Sequence, residues 1–137
     1  MLEAHVWNEW LDLGHEAMDH EHHYQVGLLS ALAEALERGR PLMARRLWGH
    51  LAHQTAVHFG SEEMALAARP GEASDQARHV AEHARLLDRI GELKDALDEG
   101  AAEVALSVAL DLRAALAAHI LDCDSRLVAA AGHPGRS

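Results

Sequence analysis

An all-α fold, an antiparallel up-down-up-down four-helix bundle with an N-terminal arm, is what this sequence predicts. Composition points there first. Of the 137 residues 49% are hydrophobic but only 4% are aromatic. Alanine and leucine supply most of that apolar bulk, which favours packed helices over a β-sandwich rich in valine, isoleucine and aromatics. Apolar residues also recur at helical spacing through four stretches. Finally, the breaks between those stretches, at Gly39-Arg40-Pro41, Arg69-Pro70-Gly71 and Glu99-Gly100, are short. Short connections turn each helix back along the one before it.

The elements follow in order. Residues 1–15 carry Trp7, Trp10 and Leu13, end near Gly14, and read as an arm packed over the bundle. The first helix is expected over Glu16–Glu37, with Val26, Leu29, Leu32, Ala33 and Leu36 on one face. Gly39 suits its C-cap and Pro41 suits the first position of the next helix. The second helix is expected over Pro41–Ala67, with Leu47, Leu51, Val57 and Met64 at apolar positions. Ser74 is the expected N-cap of a third helix that continues to Asp98 through Val80, Leu87, Ile90, Leu93 and Leu97. The fourth is expected from Ala101 to Ala130, and 131–137 read as a C-terminal tail. Nothing divides the chain, so 1–137 reads as one domain.

Charge and cysteine usage exclude several function classes. The formal net charge is −10, which repels nucleic-acid phosphates and anionic lipid; neither is an expected partner. Cys123 is the only cysteine, so no intramolecular disulfide forms. The residues Met1 to Trp10 do not resemble a secretion signal. The most apolar run, Val104 to Leu121, is interrupted by Asp111 and Arg113 and reads as too broken to span a membrane. The expected location is the cytoplasm.

Histidine is the compositional outlier, with 12 copies, and it is the commonest nitrogen ligand for transition metals. The second helix carries His58 and Glu62, four residues apart, hence on one face and one turn apart. The third carries His79 and His83 at the same spacing. The fourth carries His119, followed by Asp122 and Asp124. The first carries Asp19, His20, His22 and His23. A histidine pair four apart is expected by chance in a chain so rich in histidine. An appropriate ligand on each of four consecutive helices is not. Imidazole plus carboxylate without a thiolate cluster suits iron, zinc, copper or manganese. The Glu-x-x-His element of ferritin-like bundles is absent from the chain. The zinc-protease pattern fails too, because Tyr24 stands where His20-Glu21 would need a second histidine.

The segments Trp7…Gly14…Met18-Asp19-x-x-His22, His58-Phe59-x-x-Glu62-Glu63, His79-x-x-x-His83 and His119-Ile120-x-x-x-Asp124 occur in this order. Together they resemble the bacterial hemerythrins over nearly the whole chain. The resemblance implies a centre of two non-haem irons with His22, His58, Glu62, His79, His83, His119 and Asp124 as ligands. It implies that His79, His83 and His119 hold one iron, and His22 and His58 the other. Glu62 and Asp124 would bridge both, beside a solvent-derived oxo or hydroxo group. The second iron would then lack a ligand, and molecular oxygen would bind there. On an ideal α-helix position 124 lies about 140° round from His119, so spacing alone favours Asp122 while the family pattern favours Asp124.

Two positions depart from that pattern. Leu86 stands where the family usually has phenylalanine and Ala115 where it usually has tryptophan, which implies a roomier and more solvent-accessible oxygen pocket. His5, His15, His20, His23, His50, His53 and His133 are expected at the surface, although His50 and Gln54 share a stripe with His58 and Glu62. Glu63 reads as a solvated or capping residue, Cys123 as a small buried apolar one, and Trp7, Trp10 and Trp48 as packing. The function implied is reversible oxygen binding, with no enzymatic activity. The alternatives are a di-iron enzyme acting on peroxide or nitric oxide, and a stand-alone oxygen sensor read by a separate protein partner.

Overall fold

The computed structural model describes the backbone of residues 16–68 and 73–124, and the side chains of 18–68 and 76–122. The expected arm with Trp7 and Trp10, the Arg69-Pro70-Gly71 break and the C-terminal tail lie outside the described residues. Four α-helices follow one another: α1 (Glu16–Glu37), α2 (Pro41–Ala67), α3 (Ala73–Asp98) and α4 (Ala102–His119). A π-helical turn, Ile120–Asp124, extends α4. Each helix packs against the neighbours that precede and follow it, and α4 closes the ring against α1. This is the expected four-helix bundle.

Both described connections are built the same way. At the end of α1, the Gly39 N–H reaches the Leu36 carbonyl at 3.2 Å and the Arg40 N–H reaches the Ala35 carbonyl at 2.8 Å. At the end of α3, the Gly100 N–H reaches Leu97 at 3.2 Å and the Ala101 N–H reaches Ala96 at 3.0 Å. These are Schellman caps, which satisfy the last carbonyls of the helix by turning the chain left-handed. Gly39 and Gly100 accordingly have φ of +69° and +72°. Pro41 then starts α2 at a position where no N–H is needed. A Cβ on Gly39 would meet no atom within 4 Å, so Gly39→Ala tests backbone strain alone. It is expected to destabilise the fold by about 1–2 kcal/mol, read from the denaturant midpoint.

The core is aliphatic at the end of the bundle nearer these two turns. Leu29, Leu32, Ala33 and Leu36 of α1 meet Ala44 and Leu51 of α2, Ile90, Leu93 and Leu97 of α3, and Ala105, Ala109 and Leu112 of α4. Trp48 sits half-buried, and its indole Nε1 donates to the Ile90 carbonyl at 2.9 Å, tying α2 to α3.

The structure departs from the expected apolar faces at four positions. Val57, Met64, Val80 and Leu87 are exposed. The inward stripe of α2 is instead Ala44, Leu51, Thr55, His58, Phe59 and Glu62. Polar side chains occupy the core-facing positions there, so the apolar residues beside them fall on outer faces. Helix α3 repeats this, with His79 and His83 buried and their neighbours turned out. Ser74 falls within the first turn of α3 rather than before it. The α-helical part of α4 ends at His119, and residues 125–130 of the expected helix lie outside those described.

The segment Ala102–Asp122 has a mean hydropathy of 1.7 and is long and apolar enough to cross a membrane, contrary to the expectation drawn from Asp111 and Arg113. Its packing argues for a core helix of the bundle. Ala105, Ala109, Leu112, Leu116 and His119 are buried, and Arg113 donates to Ser30 Oγ of α1 at 3.2 Å.

Candidate metal centre

Toward the other end of the bundle the core turns polar. All four helices contribute: His22 from α1, His58 and Glu62 from α2, His79 and His83 from α3, and His119 from α4. Each of these six residues is at most 4% exposed. The i, i+4 pairs on α2 and α3 stack one turn above the other on the inner face, so two helices deliver four of the six groups. Phe59, the residue after His58, packs flat on the His83 ring with centroids 3.9 Å apart, and edge-on to His119 at 5.6 Å. These contacts hold two of the imidazoles in place.

Glu62 is the centre of the arrangement. Its Oε1 lies 2.9 Å from His83 Nε2, 3.4 Å from His79 Nε2 and 3.8 Å from His119 Nε2. Its Oε2 lies 2.8 Å from His58 Nε2 and 3.8 Å from His22 Nε2. One carboxylate oxygen therefore faces three histidines and the other faces two. The same division appears among atoms that could share a metal ion: Glu62, His79, His83 and His119 form one group, and His22, His58 and Glu62 the other, with ligand atoms within 4.8 Å of one another.

Burial disfavours charge on Glu62, but the imidazoles of His119, His22, His58 and His79 outweigh it and hold its carboxyl far below the ordinary carboxylate range. Burial likewise pushes the His58 imidazole down. The adjacent Glu62 carboxylate more than reverses this, and His58 ends above its ordinary value, with His22 opposing and Glu21 adding to the rise.

The outer ring nitrogens find carboxylates as well. His58 Nδ1 donates to Glu21 Oε1, and His83 Nδ1 donates to Glu63 Oε2 at 2.8 Å. A proton held at Nδ1 leaves the Nε2 lone pair turned inward, the arrangement that orients histidine toward a metal. Inside, His58 Nε2 and Glu62 Oε2 are buried and 2.8 Å apart, yet neither makes a hydrogen bond of proper geometry. Buried polar atoms left in this state are costly, and a cation between them satisfies both. The residues present fit a metal.

A family model for the hemerythrin HHE cation-binding domain matches residues 13–131. The chain is a member of the hemerythrin family. No curated protein and no solved structure matches it. The matched span takes in α1 to α4, and so every residue of this hemerythrin's His/Glu cluster.

Of the seven residues expected as ligands, the fold brings His22, His58, Glu62, His79, His83 and His119 together. For Asp124 the backbone is described and the side chain is not. The π-helical turn Ile120–Asp124 bears on its spacing. A π-helix bonds residue i to i+5 and so has more residues per turn than an α-helix, about 4.4, which brings backbone position 124 to about 50° from position 119 instead of about 140°. Asp122, which α-helical geometry favoured, is exposed.

Other expectations resolve in the same way. His20, His23, His50 and His53 are exposed as expected, while His5, His15 and His133 lie outside the described residues. The His50–Gln54 stripe is not an inner one: His50 is exposed and Gln54 half-buried, whereas Leu51 and Thr55 are buried. The Cys123 side chain is not among those described. Leu86 is buried, Ala115 half-buried, and the cluster itself is closed to solvent. Sequence reasoning passed over Glu21, and read Glu63 as a solvated or capping residue, whereas it accepts from His83 Nδ1. It also missed Gln25 and Thr55, both buried and three residues from a cluster histidine. That i±3 spacing was the available signal. Glu63→Gln is expected to weaken metal binding about tenfold by turning a charged acceptor into a neutral one. Competition with a chromophoric chelator measures it.

Proposed function

We propose that this hemerythrin holds two non-haem irons and binds molecular oxygen reversibly in a closed pocket beside them. The observation that carries the proposal is the division of histidines about Glu62. A carboxylate whose two oxygens face separate imidazole groups has the shape of a bridge between two ions rather than a ligand to one. His79, His83 and His119 would hold the first iron, and His22 and His58 the second. Asp124, the ligand that the family pattern gives, would be the second bridge. The irons supply the electrons that capture oxygen.

The chain's own residues set the conditions for that capture. The second group has one histidine fewer, which leaves room for a small exogenous ligand on that side. Glu21 and Glu63 hold His58 and His83 with Nε2 inward. The leucine, alanine and phenylalanine shell keeps bulk water from the cluster, which favours release of oxygen intact over its consumption. The deep burial of all six residues supports carriage or storage over turnover of larger substrates. A cytoplasmic setting, with oxygen as the only small-molecule partner, belongs to the same proposal.

Anaerobic reconstitution with Fe(II), followed by admission of air, tests it. The expected result is two irons per chain and a visible absorption that appears with oxygen and disappears on its removal. Immediate, irreversible conversion to a ferric form with turnover of peroxide or nitric oxide would establish an enzyme instead.

A further inference from the structure

One buried polar pair remains unused by the cluster. Gln25 of α1 is fully buried and Thr55 of α2 is 2% exposed. Gln25 Nε2 donates to Thr55 Oγ1 at 3.2 Å. Gln25 Oε1 is buried and makes no hydrogen bond among the described residues. An amide in an aliphatic core with half its hydrogen-bonding capacity idle is destabilising compared with a leucine of similar size. Its position in the fold gives it a use.

Helices α1 and α2 are antiparallel. Moving three residues up α1, from His22 to Gln25, matches moving three residues down α2, from His58 to Thr55. Both steps cover about 4.5 Å of helix. The His22 and His58 rings lie 4.9 Å apart in one layer, and Gln25 and Thr55 meet in the layer directly beside it. On the far side of the cluster, His79, His83 and His119 supply three imidazoles to Glu62 Oε1. The Gln25–Thr55 layer thus adjoins the side with only two histidines, where a ligand from outside the protein completes the metal.

We infer that Gln25, held by Thr55, hydrogen-bonds the small exogenous ligand on the metal that His22 and His58 would hold. This rests on the di-iron reading above. As it stands, the idle Oε1 accepts from a protonated ligand such as water or hydroxide. If the amide turns over and the Thr55 hydroxyl donates to Oε1, the amide N–H bonds face the ligand and serve an anion. The pair therefore makes the pocket polar at one point, and it discriminates among small ligands by their hydrogen-bonding capacity rather than by size alone.

Azide titration of the iron-loaded, oxidised full-length protein tests this, with Gln25→Leu and Thr55→Val as variants. Gln25→Leu is expected to keep the parent's iron content and helicity, bind azide about three- to tenfold more weakly, and shift the azide-to-iron absorption band. Thr55→Val is expected to change azide affinity in the same direction by a smaller factor, and the double variant by less than the product of the two. If Gln25→Leu fails to fold, Thr55→Val carries the test. Parent-like azide affinity and absorption in the variants would overturn this inference alone and leave the pair as a bridge between helices. A parent that takes up no iron, or binds no azide once loaded, would overturn the di-iron reading and this one with it.

Discussion

Glu62→Gln is expected to abolish stable metal binding at both groups of histidines while leaving the bundle folded. Among the described residues only Glu62 belongs to both groups, and its two oxygens are divided between them. An amide of the same shape keeps the volume but offers one neutral oxygen and an N–H group that repels a cation. Loss of an outer carboxylate partner costs about 10–100-fold in metal affinity; loss of a shared, directly facing ligand should exceed that range on both sides. Metal analysis after desalting would then fall from two irons per chain to fewer than one. Far-UV dichroism of the variant should match that of the metal-free parent. A variant that retains two irons would show that Glu62 is not the bridge.

Leu93→Ala is expected to be the most damaging single truncation of the aliphatic half of the core. Leu93 is completely buried on α3, in the layer that joins all four helices. Removing it leaves a cavity as well as lost burial, together about 2–5 kcal/mol. Domains of this size have total stabilities of about 5–15 kcal/mol, so the variant loses a large share of its margin. Urea denaturation of the metal-free protein measures this without the contribution of bound ions. Leu87→Ala on the same helix is the control. Leu87 is 40% exposed, and its truncation should cost less than about 1 kcal/mol.

The junction of α1 and α2 is legible to the residue because it carries specific chemistry: a glycine where the chain must turn left-handed, and a proline where no N–H is wanted. Helical periodicity alone erred on α2 and α3. It assumed that inward positions are apolar, and so put Val57, Met64, Val80 and Leu87 inside, where His58, Glu62, His79 and His83 take the inner stripe instead. The histidines of the cluster were legible through their distribution, one group per helix. Glu21 and Glu63 were not, since a carboxylate that grips the outer nitrogen of a histidine has the same sequence character as one in solvent. Position 124 was named by family pattern alone, and its side chain lies outside those described. No α-helical wheel places it under His119, and nothing in Ile120-Leu121-Asp122-Cys123 announces a π-helical turn.

The sharing of Glu62 has a consequence for how the centre fills. The imidazoles that crowd Glu62 must give up their contacts with it to bind an ion, and the first ion to arrive would rearrange them around the shared carboxylate. The second ion then meets an acceptor already aimed. That pre-payment of ordering couples the two events. At half the saturating amount of Fe(II), the population is expected to divide into chains with two ions and chains with none. Native mass spectrometry under anaerobic conditions would count them. If the population divides so, iron supply would act less as a graded setting than as a switch, converting each chain whole from empty to loaded.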